Sequence, residues 1–74
     1  MSEKRYNDEV YKDHAIRVYA ERCDDLSSWT IEVHIQTPDG SHLPPVREGD
    51  HSFPTLAIAF ASGSELGRNV VDAW

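Results

Sequence analysis

The stretch Trp29-Thr30-Ile31-Glu32-Val33-His34-Ile35-Gln36 alternates large apolar and polar side chains without a break. Successive side chains of a strand point to opposite faces, so the pattern predicts a strand that is dry on one face and wet on the other. Its apolar members are β-branched or aromatic, the types that suit a half-buried pleated surface.

Working back towards the N-terminus, Cys23-Asp24-Asp25-Leu26-Ser27-Ser28 reads as a loop, and before it the same period recurs. Ile16, Val18 and Ala20 alternate with Arg17, Tyr19 and Glu21. A one-residue slip would put every apolar side chain in water. The register is therefore Ile16 with Ile35, Val18 with Val33 and Ala20 with Ile31, leaving Arg17 by His34 and Tyr19 by Glu32 on the wet face.

Working forward, Thr37-Pro38-Asp39-Gly40-Ser41 has the chemistry of a three-residue hairpin loop closing on Gly at positive φ. That loop pairs Thr37 with Ser41, sets Gln36 against His42 and brings Leu43 beside Ile35. Pro44 and Pro45 cannot donate to a ladder, which makes this third strand short and places it at an edge of the sheet. Arg47 to Ser52 reads as a charged loop. Beyond it Thr55 is the expected N-cap of a helix. Leu56, Ala59, Phe60, Gly63, Leu66, Gly67, Val70, Val71 and Trp74 then share an apolar arc of about 140°. Gly63 and Gly67 are expected to let the helix settle closely on Trp29 or Ile31.

The expected fold is α+β: a three-stranded antiparallel meander packed on one C-terminal α-helix. Residues 1–14 read as a flexible polar N-terminal tail, or one that orders into an extended lead-in to the first strand, and residues 15–74 as a single β-β-β-α domain. A chain of 74 residues has room for one core.

The net charge of −6 comes from 7 Lys and Arg against 13 Asp and Glu. A domain with few scattered cations offers little to a phosphate backbone or an acidic membrane. No Gly-rich phosphate loop or nucleophile elbow is present. His14, His34, His42, His51 and Cys23 show no zinc-type spacing, and Asp24 and Asp25 disfavour a Cys23 thiolate. The expectation is a non-enzyme with no cofactor, no metal and no small-molecule ligand. One cysteine permits no internal disulfide, and the charged N-terminus does not read as a signal peptide, so cytoplasm is the expected location.

The order strand-strand-strand-helix, with Phe53-Pro54-Thr55-Leu56-Ala57-Ile58-Ala59-Phe60-Ala61 opening the helix, resembles small bacterial proteins of β-β-β-α layout. It is also loosely similar to HicB-type antitoxins, over about residues 15–73. Ala57 and Ile58 stand where that family has an acidic pair. The resemblance implies an acidic protein that neutralises a basic toxin ribonuclease.

Among the functional classes the favoured one is a protein-interaction module, with a protein partner or a second copy of the chain as a homodimer. The expected interaction surface is the wet sheet face, Arg17, Tyr19, Glu32, His34, Gln36 and His42, together with Ile58 on the helix back. The alternatives are the antitoxin role and a weak RNA-binding sheet that would stack bases on Tyr19.

Overall fold

The computed structural model describes residues 2–47 and 51–73. Four strands and one helix follow in chain order: β1 (Glu3–Tyr11), β2 (His14–Arg22), β3 (Thr30–Gln36), β4 (Val46–Arg47) and α1 (Leu56–Ala73). The strands make one antiparallel sheet in the order β1-β2-β3-β4, and α1 covers one face of it. The fold is α+β.

The β2–β3 register is the one demanded by face matching, from Ala15 with Gln36 to Glu21 with Thr30. Ile16, Val18, Ala20, Ile31, Val33 and Ile35 are all buried on the helix side, and Trp29 closes that end of the core at 3% exposure. Trp29 and Phe53 exchange backbone hydrogen bonds of 2.8 Å in each direction, tying the entry to the helix onto the end of β3. The hairpin loop after β3 forms as its residues require. Gly40 has φ of 91°, the Gly40 amide donates to Thr37 and the Thr37 amide donates to Ser41.

Two expectations need correction. Within the tail expected over residues 1–14, Glu3–Tyr11 is neither flexible nor a mere lead-in but an edge strand that pairs along its whole length with His14–Arg22. The link is a two-residue turn in which Lys12 and Asp13 both take positive φ, 50° and 64°. Such turns match the twist of the strands they join, but Lys-Asp lacks the Asn or Gly that usually announces them. None of the nine residues of β1 is buried, so no apolar period marks the strand in the sequence.

The third expected strand is also displaced. Gln36 bridges His42 and the Leu43 amide donates to Ile35, as anticipated, but Pro44 and Pro45 interrupt the ladder. Pairing resumes at Val46 with Val33 and Arg47 with Glu32. The interruption contains one extra residue, which restores the alternation so that Leu43 and Val46 both turn inward. Arg47 thus belongs to a strand rather than to a loop. The rest of the expected Arg47–Ser52 loop falls partly on residues 48–50, which lie outside the described residues.

Helix α1 begins as its cap predicts, with the Ile58 amide donating to Thr55 Oγ1 at 3.2 Å. Ala59, Gly63, Gly67 and Val71 are buried along its inner stripe, and Leu56, Phe60, Leu66 and Val70 flank them against the core. Trp74, expected on the same stripe, lies outside the described residues. The two glycines face the sheet at Val18, Ile16 and Val33 rather than at Trp29 or Ile31.

Candidate functional site

With α1 on one side, no described element covers the opposite face of the sheet. Alternation along β2 and β3 sends Arg17, Tyr19, Glu32, His34 and Gln36 to this face, and the Gln36–His42 bridge adds His42 at its corner. The expected surface residues are therefore brought together, with one exception. Ile58 is 46% exposed but sits on the helix, on the far side of the sheet from the other six.

Strand β1 extends the face with residues that hydrophobic patterning could not place. Tyr6 pairs with Tyr19, Asp8 with Arg17 and Lys4 with Glu21. At the other edge Arg47 joins opposite Glu32. A sequence signal for Tyr6 and Asp8 existed only in complementarity across strands: charge opposite charge and ring opposite ring.

The side chains of this face form one connected layer. Arg17 holds Asp8 through two hydrogen bonds, Nε to Oδ1 at 2.6 Å and Nη2 to Oδ2 at 2.9 Å. Its guanidinium stacks over the Tyr6 ring with Cζ 4.6 Å from the centroid. The Tyr19 ring stands edge-on to His34, centroids 5.0 Å apart, and tilts against Tyr6 at 6.2 Å. Lys4 Nζ caps Tyr19 at 5.0 Å. On β3 and β4, Arg47 Nη2 bonds Glu32 Oε1 at 3.1 Å.

These contacts set the electrostatics. The hydrogen bond from Arg17, with its positive charge behind it, holds the Asp8 carboxyl below its ordinary range, and the same bond raises Arg17. Lys4, Arg17 and Arg47 balance Asp8, Glu21 and Glu32, three cations against three carboxylates. The face is formally neutral within a chain of net charge −6. The excess acid lies at Asp13, Asp24, Asp25 and Asp39, at Glu65 on the helix, and at Glu48 and Asp50 in the sequence between β4 and α1.

Two open depressions score the face. One, of about 540 Å³, runs past Val10, Ala15, Arg17, His34 and His42. The other, of about 280 Å³, lies between Lys4, Tyr19 and Arg47. Among the described residues no group of three or more His, Cys, Asp or Glu could hold a metal ion. No described helix is long and apolar enough to cross a membrane.

A separate polar clasp joins β1 to the helix on the covered side. Glu9 accepts from Ser64 Oγ and from Arg68, whose Nη2 is 2.8 Å from Oε2. Tyr11 and Lys12 both donate to Asp72, Lys12 at 2.6 Å. Burial alone would raise the Glu9 carboxyl, but the Ser64 and Arg68 bonds and the Arg68 charge outweigh it, leaving Glu9 below its ordinary value.

The fold and face together define a small α+β protein with one sheet face sealed by a helix and the other open. In comparison with known proteins, the chain matches no family model, no curated protein and no solved structure.

Proposed function

We propose that this protein is a non-enzymatic interaction module whose open sheet face docks against another protein. One observation carries the reading: in a chain of net charge −6, this face combines formal neutrality with an aromatic and arginine-rich centre. Tyrosine and arginine dominate the energetics of protein interfaces, and unbalanced charge is depleted from interface cores. Tyr6, Tyr19 and Arg17 are held by one another, so they are ordered before a partner arrives and lose less side-chain entropy on binding. A nucleic acid would meet as many carboxylates as cations on this face, with Arg17 already engaged by Asp8 and Arg47 by Glu32, which leaves little counterion release to drive its binding.

The test is a set of affinity captures from a lysate, with the wild type and three variants each tethered at the C-terminus. A protein retained by the wild type should be lost by Arg17→Glu and by Tyr19→Ser, and kept by Glu65→Lys on the helix back. Circular dichroism should show all three variants folded. Capture that ignores the two face variants would sink the reading.

A further inference from the structure

The outer edge of β1 carries a feature independent of the sheet face. β1 ends the sheet, and no described strand pairs with its free side. It is nine residues long, Glu3–Tyr11, whereas β4 at the opposite edge has two residues. A long unpaired edge is a template for another strand. Charged side chains on an edge ordinarily repel intruders, so the order of the charges decides the matter.

We propose that β1 pairs antiparallel with β1 of a second copy of this chain, in the register centred on Asn7, joining the two sheets into one. The two-fold axis that relates such strands stands perpendicular to the sheet, so facing residues must lie on the same face. Centring on Arg5 sets Arg5 against the partner's Arg5. Centring on Tyr6 sets Glu3 against the partner's Glu9. Centring on Asp8 sets Asp8 against the partner's Asp8. Centring on Glu9 sets Glu9 against the partner's Glu9. Among the registers that pair five or more residues of β1, the one centred on Asn7 alone opposes no like charges, and it is also the one that overlaps the whole strand. It sets Arg5 against the partner's Glu9 twice over, by symmetry.

The backbone agrees with this register. Tyr11 and His14 flank the two-residue turn, so they and every second pair after them exchange their hydrogen bonds within the β1–β2 hairpin. That leaves the amides and carbonyls of Lys4, Tyr6, Asp8 and Val10 pointing outward. Centring on Asn7 matches Lys4 with the partner's Val10 and Tyr6 with the partner's Asp8, so these outward groups meet each other. Arg5 and the partner's Glu9 then fall at non-hydrogen-bonded positions, where facing side chains stand closest.

The same register covers the apolar surface that β1 leaves in water. Tyr6 is 59% and Val10 74% exposed. Across the axis each Tyr6 lies diagonal to the partner's Tyr6 and the partner's Val10, within reach of an aromatic ring. The Lys4 stem lies along the partner's Val10.

Sedimentation equilibrium of the full chain over a wide concentration range should give about twice the 8.4 kDa of one chain. Arg5→Glu and Glu9→Arg, each alone, oppose like charges twice and should weaken association by roughly tenfold or more. Mixed in equal amounts, the two variants are complementary and should restore a heterodimer. Val10→Pro removes an outward amide without touching the β1–β2 ladder and should also leave a monomer. Because Glu9 also accepts from Arg68, amide exchange is read in β1 as well as in β2 and β3, and protected Arg5 and Asn7 amides show that each variant keeps its edge strand.

A wild type that stays monomeric overturns the proposal. So does a dimer indifferent to Arg5→Glu and Val10→Pro, and so do single variants that dissociate but fail to rescue one another. Tyr19→Ser cuts the face and spares the edge, so it should leave the mass doubled. Failure of the face reading and failure of this one are thus seen in different variants.

Discussion

Gly63 on the helix and Val18 on β2 meet so closely that a β-carbon on Gly63 would stand 2.4 Å from Val18 Cγ1. Val18 is fully buried and its β-branched side chain has little rotamer freedom to retreat. Glycine costs about 1 kcal/mol against alanine within a helix, so on propensity alone Gly63→Ala would stabilise. Overpacking of about 1–3 kcal/mol should reverse that sign. A lowered denaturant midpoint is expected, and Val18→Ala in the same chain should recover part of the loss. An unchanged or raised midpoint would show that the helix lifts at no cost.

The two turns should both favour glycine, so that removing it from one and adding it to the other have opposite effects. Gly40 sits at φ of 91° with no atom within 4 Å of where a β-carbon would go, so Gly40→Val meets backbone strain alone. A loss of about 1–2 kcal/mol is expected. At the β1–β2 turn Asp13 already bears that strain at φ of 64°, and Asp13→Gly should raise stability by about 0.5–1 kcal/mol. Melting temperatures of the two variants should move in opposite directions. Movement in the same direction would contradict the turn geometry.

The clasp that holds β1 to the helix should weaken in acid. Glu9 is depressed in the folded state, so its contribution is complete above the unfolded value near 4.5 and is lost as pH falls through the folded one. β1 buries no side chain, so its pairing rests on the ladder and on such polar contacts. Hydrogen-exchange protection of β1 amides, measured relative to those of β3, should therefore drop on acidification well below pH 4.5. Arg68→Gln should give a similar loss at neutral pH, of less than about 1 kcal/mol, because Arg68 is half exposed. Equal protection of β1 and β3 at low pH would show that the clasp does not hold the strand.

Trp29 closes the core at the end where β3 meets the lead-in to the helix, and Arg22 stacks over its ring with Cζ 4.5 Å from the centroid. Trp29→Ala should cost about 3–5 kcal/mol. That is much of the stability available to a chain of this size, so loss of a cooperative thermal transition is the expected readout. A variant that melts within a few degrees of the wild type would place Trp29 outside the core's energetics.

The sequence by itself determined the parts of this protein where one face is dry. The alternation from Ile16 to Ala20 and from Trp29 to Ile35 specified the β2–β3 register pair by pair, because any slip would put Val18 or Val33 in water. The same logic found the inner stripe of α1, and Thr55 and Gly40 marked a cap and a turn through side-chain chemistry that acts locally. Six of the seven residues expected at a surface, Arg17, Tyr19, Glu32, His34, Gln36 and His42, do share a face, since two-residue periodicity places the wet side as surely as the dry one.

Only the tertiary structure decided β1. Glu3–Tyr11 buries no side chain on either face, so it carries no dry-face period to read, and backbone hydrogen bonds to β2 leave no signature in side-chain type. Its turn uses Lys12 and Asp13 where Asn or Gly would have signalled it. The addition of Tyr6, Asp8 and Lys4 to the open face followed from that pairing. So did the Glu9–Arg68 clasp, which joins residues far apart in the chain that nothing short of folding could bring together.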